Sequence, residues 1–304
     1  MIPFDQRSGL IWLDGLLVDW PDATLHVLTH GLHYASSVFE GIRVYGGEPF
    51  LLDDHLARLN QSGHILDFEV PYSVEELREA TIDLVRRAGH ADGYVRINAW
   101  RGSEVIQTAA PHTSVHVSIA TWEVPSGYYA PTDAADSGIS LMTGGYRRPG
   151  ADCAPVKSKA AGNYMIGTIT KNQALRAGFD DAMLLDTAGL IAESTGAHLF
   201  FTRAGELYTP TTRCTIDGIT RACVLAIAER LSISVHVDDI EPAFVTEADG
   251  AFICGTACEI LPVKRIDDMS YAVGSNDVIR TIADEYRRLT TGPHGLVQPD
   301  LRIG

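Results

Sequence analysis

The chain has 304 residues, 45% of them hydrophobic and 21% charged, with a formal net charge of −15. That length buries one large core or two medium ones, and the composition is that of globular material, not disorder. The acidic balance repels phosphate backbones and anionic lipid, which argues against nucleic acid and membrane as partners but leaves a small anion open.

Along the chain, "LIWLDGLLVDW" sets two apolar runs around Asp14-Gly15, and "VFEGIRVYGGEPFLL" repeats the device around Gly46-Gly47. Both predict hairpins. "DDHLARLNQSGHIL" predicts a helix with Leu56, Leu59 and, beyond Gly63, Ile65 on one face. "SVEELREATIDLVRRAG" predicts a second, opened by a Ser73–Glu76 capping box and ended by Gly89. "GYVRINAW" and "SVHVSIATW" alternate as strands.

Residues 123–138 concentrate Pro, Gly, Ser and Asp. The predicted division is a small α/β domain over 1–122, a linker over 123–137 and a larger α/β domain over 138–304. The second domain opens with a strand near 139–143, then a helix through "MIGTITKNQALRAG". The strands "AMLLD", "LIAE" and "HLFF" follow, then a helix through "ITRACVLAIAERL", with Val224, Ile227, Ala228 and Leu231 on one side. The strands "GAFICG" and "EILPVKRI" precede a closing helix, "NDVIRTIADEYRRL". Two α/β domains meeting at a cleft is the expected architecture.

No stretch reaches the ~20 apolar residues that span a bilayer. The start, "MIPFDQRSGLIW", lacks a basic segment followed by a long apolar run, so a soluble, cytoplasmic protein is expected. Five scattered cysteines fit free thiols in a reducing compartment; Cys254 and Cys258, flanking "GTA", read as buried structural thiols.

Several features could carry chemistry. His26, His30 and His33 have helical metal-site spacing, but a glycine and a following β-branched run favour packed or hydrogen-bonded rings. Gly218, Ile219 and Thr220 open a strong helix, where free N–H groups and the dipole form an anion site. The alternative there is a plain capping turn with Asp217 as N-cap. A second small-residue turn, "CGTACE", brings Gly255, Thr256 and Ala257. Glu193 either caps the turn that follows it or faces a protonated heterocyclic nitrogen. Aldehyde-cofactor chemistry needs a lysine, an acid at the ring nitrogen and donors for a phosphate, and the second domain contains all three. Two lysines compete for the first role in "PVKSKAAGNYM": in a strand, Lys157 and Lys159 would share a face, so local physics does not separate them.

Taken together, "HGLHYASSVFEGIRVY", "HLARL", "YVRI", "KAAGNY", "GFDDAMLLDTAGLIAESTGAHLF", "DGITR" and "GTACEILPV" resemble the class IV, fold-type IV pyridoxal-phosphate aminotransferases, most closely the bacterial branched-chain amino acid type. The resemblance covers nearly the whole chain. It implies a two-domain α/β (α+β) fold with pyridoxal 5′-phosphate at the domain interface, and a homodimer or higher assembly in which first-domain residues complete a neighbour's site. It makes Lys159, five residues before Tyr164, the Schiff-base lysine that moves the substrate's Cα proton, and leaves Lys157 a neighbouring surface or rim charge. Glu193 would pair with the pyridine nitrogen, Tyr164 with the ring hydroxyl, and Ile216 with the ring face. Arg58, Ile219, Thr220 and Thr256 would hold the phosphate. Tyr34, Phe39, Tyr94, Arg96 and the N–H of Ala257 match substrate-binding positions.

The implied reaction passes the amino group of Leu, Ile or Val to 2-oxoglutarate. The sister activities are D-amino acid or (R)-amine transamination and aminodeoxychorismate lyase; a non-catalytic binding protein is the remote reading. Three departures bear on substrate identity more than on reaction type. His198 stands in "GAHLF" where relatives read "GENLF", no proline follows Arg96, and polar Gln107 and Thr108 replace a glycine-rich, apolar loop.

Overall fold

At Asp14-Gly15 both residues have positive φ, 48° and 90°, which matches the right-handed twist of the strands they join. These are β1 (Leu10–Leu13) and β2 (Leu16–Asp19). The computed structural model describes residues 2–124 and 134–291. Residues 125–133 of the expected linker and 292–304 of the expected larger domain therefore lie outside the described residues.

The chain divides into two compact units. The first comprises Met1–Val124 and Ser158–Gly162, the second Pro125–Lys157 and Asn163–Gly304. In the first unit, a short helix α1 (His30–Tyr34) leads into β3 (Ser37–Tyr45) and β4 (Glu48–Pro49). Two helices follow, α2 (Leu52–Ile65) and α3 (Val74–Ala88), then β5 (Asp92–Arg101) and β6 (Val115–Glu123). The strands form an antiparallel sheet in the order β2-β1-β6-β5-β3-β4. Val38, Ile42 and Val44 of β3 and Val95 and Ile97 of β5 pack in one core with Leu56, Leu59, Leu77 and Leu84 of α2 and α3.

The capping box forms: Glu76 N–H donates to Ser73 Oγ at 3.2 Å, and Ser73 N–H to Glu76 Oε2 at 2.7 Å. Ile65 departs from expectation. It is 36% exposed, because six residues at ~100° each turn it about 120° away from Leu59. Phe68 packs at Gly63 instead.

The segment Ser158–Gly162, expected in the second domain, packs with the first unit because its polar backbone finds partners there. Phe39 N–H donates to the Lys159 carbonyl at 3.1 Å, and Lys159 N–H donates to Ser62 Oγ at 3.0 Å. Ser158 Oγ donates to the Ser62 carbonyl at 2.9 Å, and Ala160 forms an isolated bridge with Val38.

In the second unit, α4 (Ala134–Ser137) precedes β7 (Ile139–Arg148), which is longer than its sequence signal. After α5 (Met165–Arg176) come β8 (Asp181–Asp186), β9 (Ile191–Ser194), β10 (His198–Arg203) and β11 (Glu206–Pro210). Helix α6 (Ile219–Arg230), β12 (Val235–Asp238), β13 (Gly250–Gly255), β14 (Glu259–Ile266), β15 (Met269–Ser270) and α7 (Asp277–Thr291) complete it. The strands make a mixed sheet in the order β12-β11-β10-β13-β14-β7-β8-β9, with β15 on β14. The β7–α5–β8 and β11–α6–β12 segments join parallel pairs, the connection that needs a crossover helix. Its core gathers Leu141, Met183, Leu199, Phe201, Ile253 and Leu261. Among the described residues, no helix is long and apolar enough to cross a membrane.

Candidate active site

In the first unit, Lys159 is held through its backbone while its amine lies 5.1 Å from the Phe39 ring centroid. The Arg96 guanidinium lies 4.5 Å from the same centroid and 5.8 Å from that of Tyr94. The pairing of Gly41 with Arg96 and Arg43 with Tyr94 places Phe39, Gly41, Tyr94 and Arg96 on one sheet face. A Cβ on Gly41 would stand 1.8 Å from the Tyr94 hydroxyl, so only glycine leaves that ring its place. Among the described residues, Arg96 Nε is buried without a hydrogen-bond partner. Two cations over one aromatic ring make a face suited to an anionic group.

The opposite face of β3 points Glu40 into the core, fully buried. Arg58 grips it bidentately, Nε to Oε1 at 2.7 Å and Nη2 to Oε2 at 2.8 Å. His55 Nδ1–H donates to Oε2 at 2.7 Å. Burial opposes ionisation of Glu40, but the Arg58 charge and the bonds from Arg58 and His55 outweigh it and hold the carboxyl far below its usual range. Burial pushes His55 down, against the pull of Glu40, and the charges of Arg58 and Lys159 add to the depression. Folding therefore favours the neutral ring. Arg58, expected at a phosphate, thus spends two of its nitrogens on Glu40. Neither Glu40 nor His55 stands out in the sequence; the available signal is an acid at a core position of an alternating strand.

Tyr34 is 43% exposed on α1, its ring stacked on His30 at 4.5 Å. The three histidines do not share a helix, since α1 begins at His30. His30 Nε2 meets the Gln107 carbonyl at 2.8 Å, His33 Nε2 the Val27 carbonyl at 2.9 Å, and His26 Nδ1 accepts from Leu28 N–H at 3.1 Å.

In the second unit, Glu193 of β9 is 9% exposed, and Arg148 Nε lies 3.1 Å from its Oε1, an ion-pair contact without hydrogen-bond alignment. Arg148 Nη1 donates to the Asn163 carbonyl at 3.0 Å, and Nη2 to that of Cys214 at 3.5 Å. One buried guanidinium at the end of β7 thereby ties Glu193 to the residue before Tyr164 and to the loop carrying Ile216. No motif in the sequence marks it.

Helix α6 begins at Ile219 with Gly218, not Asp217, as N-cap, so its first-turn N–H groups are those of Ile219, Thr220 and Arg221. Thr220 shares a side-chain hydrogen bond with Tyr286 of α7. Asp217 instead holds Lys157, whose Nζ donates to its carboxylate at 2.9 and 3.1 Å. Lys157, expected as a surface or rim charge, is thus ion-paired with its side chain 40% exposed. A Cβ on Gly218 would stand 2.2 Å from His198 Nε2. Register pairs His198 with Cys254, which sets the start of β10 beside Gly255 and the turn of Thr256, Ala257 and Cys258. His198 thus lies between the two candidate anion turns. Burial pushes the Cys254 thiol well above its usual range and that of Cys258 up to about 12, so both stay protonated.

The residues thus supply an anchored amine and a guanidinium with an unpartnered Nε in one unit, and a buried acid with two small-residue turns in the other. The family model for class IV aminotransferases matches residues 37–266. The branched-chain-amino-acid aminotransferase of Pseudomonas aeruginosa is 37% identical over 273 residues, 88% of each chain. Among solved structures, that of the Escherichia coli branched-chain amino acid aminotransferase matches with a TM-score of 0.89 and 33% identity, covering 94% of this chain and 96% of that one. A T.th. branched-chain amino acid aminotransferase complexed with N-(5′-phosphopyridoxyl)-L-glutamate matches with a TM-score of 0.88 and 36% identity, covering 94% and 95%. On its sequence and on its fold alike, the chain belongs to the class IV aminotransferases.

Proposed function

We propose that this protein is a pyridoxal-phosphate-dependent aminotransferase that passes the amino group of a branched-chain L-amino acid to 2-oxoglutarate. The observation that carries the reading is Lys159: its backbone is bonded on both sides while its amine is delivered over Phe39 beside Arg96. The residues fit the cofactor. An ion-paired acid is buried at Glu193, and a glycine-capped helix start is too tight at Gly218 to admit a Cβ.

When bound, pyridoxal phosphate supplies the electron sink for bond breaking at the substrate's Cα. Lys159 Nζ would carry the cofactor and move the Cα proton. Glu193, braced by Arg148, would accept from the ring nitrogen, Tyr164 would meet the ring hydroxyl, and Ile216 would pack on the ring. The N–H groups of Ile219 and Thr220, with Thr256, would hold the phosphate, as helix starts and nests do. Arg58, locked by Glu40, would add charge for the phosphate. Ala257 N–H would bind the substrate carboxylate, with Phe39 and Tyr94 lining its side-chain pocket.

The unpartnered Nε of Arg96 supports a dicarboxylate acceptor, because it offers a second carboxylate a charge-assisted partner. A homodimer accords with the exposed Leu25, Val27, Leu28 and Leu32 around α1, 57%, 71%, 43% and 71% exposed, next to the half-exposed Tyr34. Names of relatives support the branched-chain donor, and a cytoplasmic setting suits the reduced thiols.

Lys159→Ala is expected to lower turnover at least about 1,000-fold and to remove the visible absorption of the bound cofactor. A panel of L-leucine, D-alanine and (R)-1-phenylethylamine with 2-oxoglutarate and pyruvate should show L-leucine with 2-oxoglutarate as the best pair. Turnover by Lys159→Ala, or preference for either other donor, would overturn the assignment.

A further inference from the structure

An acid at a helix start can accept from its first N–H groups. Asp217 stands one residue before Gly218, the N-cap of α6. Its carboxylate is drawn aside: Lys157 Nζ donates to Oδ1 at 2.9 Å, to Oδ2 at 3.1 Å and to Thr212 Oγ1 at 3.1 Å. Thr212 Oγ–H in turn donates to Oδ1 at 2.7 Å. The Lys157 and Asp217 side chains are 40% and 34% exposed, and a pair so placed adds little to stability. What it changes is where a negative charge stands. Swung onto the start of α6, the Asp217 carboxylate would occupy the N–H groups and repel any phosphate brought there. Among the described residues, other titratable groups at this helix start include Arg221, whose Nη2 donates to the Pro210 carbonyl at 3.1 Å, His198 against Gly218, and Tyr286 of α7, bonded to Thr220.

We propose that Lys157 is a positioning residue for cofactor binding: with Thr212 it holds the Asp217 carboxylate away from the start of α6, leaving the Ile219 and Thr220 N–H groups to the phosphate. This rests on the pyridoxal-phosphate reading above. It replaces the view of Lys157 as a bystander beside Lys159, and gives the amine a role without any contact to the reacting atoms.

The test is a titration of apoprotein, stripped of cofactor, with pyridoxal 5′-phosphate and with pyridoxal, which lacks the phosphate. Lys157→Met should weaken pyridoxal-phosphate binding roughly ten- to a hundredfold, the scale of one uncompensated carboxylate near a phosphate, and leave pyridoxal binding within about threefold. Asp217→Asn should bind at least as tightly as wild type. The double variant Lys157→Met/Asp217→Asn should return to near wild-type affinity, and Lys157→Arg should keep most of it. A circular-dichroism melt of each apoprotein checks folding. The proposal is overturned if Lys157→Met binds the cofactor like wild type, if the double variant is as weak as Lys157→Met, or if pyridoxal binding falls in parallel. A wild-type apoprotein that binds no pyridoxal phosphate at all would overturn the functional reading itself.

Discussion

Glu40 is a carboxylate inside an apolar core, and its neighbours decide what it does. Removing it takes from the buried Arg58 guanidinium the carboxylate it grips, so Glu40→Ala is expected to cost about 3–5 kcal/mol in urea denaturation. The pH dependence has one sign for the whole cluster. Glu40 is held below its unfolded value of ~4.3, so its contribution is complete above that pH and is lost as pH falls beneath it. His55 is depressed from ~6.5, so folding favours the neutral ring, and that contribution is lost as pH drops below about 6.5. Stability should therefore fall from about pH 6.5 downward, and His55→Gln should flatten the fall between about pH 7 and 5 in thermal melts. An unchanged slope would show that His55 is not the group responsible. At this scale the sequence was legible only where motifs fix a residue's place. Lys159, Glu193 and Thr220 come with recognisable neighbours. Glu40, His55 and Arg148 look like any charged residue until the fold sets Glu40 against Arg58 and Arg148 against Glu193.

Elements defined by local chemistry were read correctly: both hairpins, the capping box of α3 and the α6 helix need only neighbours a few residues apart. The strands β11 and β12 carried no expectation: β11 closes a hairpin with β10 at Ala204-Gly205, and β12 pairs with β11 only across helix α6. The lysine ambiguity came from assuming a strand at 157–159. The chain turns there instead, and only Ala160 bridges to β3. Strand β3 itself does two jobs, with Val38, Glu40 and Ile42 toward the core and Phe39 and Gly41 toward the candidate pocket. Gly41→Ala tests that division. The added methyl displaces Tyr94, so we expect about 1–3 kcal/mol of destabilisation in denaturant titrations. Michaelis constants should rise for both amino acid and 2-oxo acid.

Over the whole molecule, composition suggested a linker over 123–137 and could not show that five residues from beyond Val124 return to the first unit. That return depends on the hydrogen bond from Phe39 N–H to the Lys159 carbonyl and on those Ser62 accepts from Ser158 and Lys159. A fragment ending at Val124 lacks these partners. In hydrogen exchange, its Phe39 amide should exchange faster than in the full chain, and a peptide spanning 155–165 should slow it. Equal protection with and without the peptide would show that the segment contributes nothing to the unit.

The same return has a consequence in time. Chains are made from the N-terminus at ~5–20 residues per second, and N-terminal units fold first. The 38 residues from Val124 to Gly162 impose a wait of about 2–8 s during which the first sheet exists without its last segment. Lys159 is therefore among the last pieces fitted to that unit. Until it arrives, a nascent chain has no anchored amine to offer a reactive aldehyde, which restricts cofactor capture to chains already grown past the second crossing.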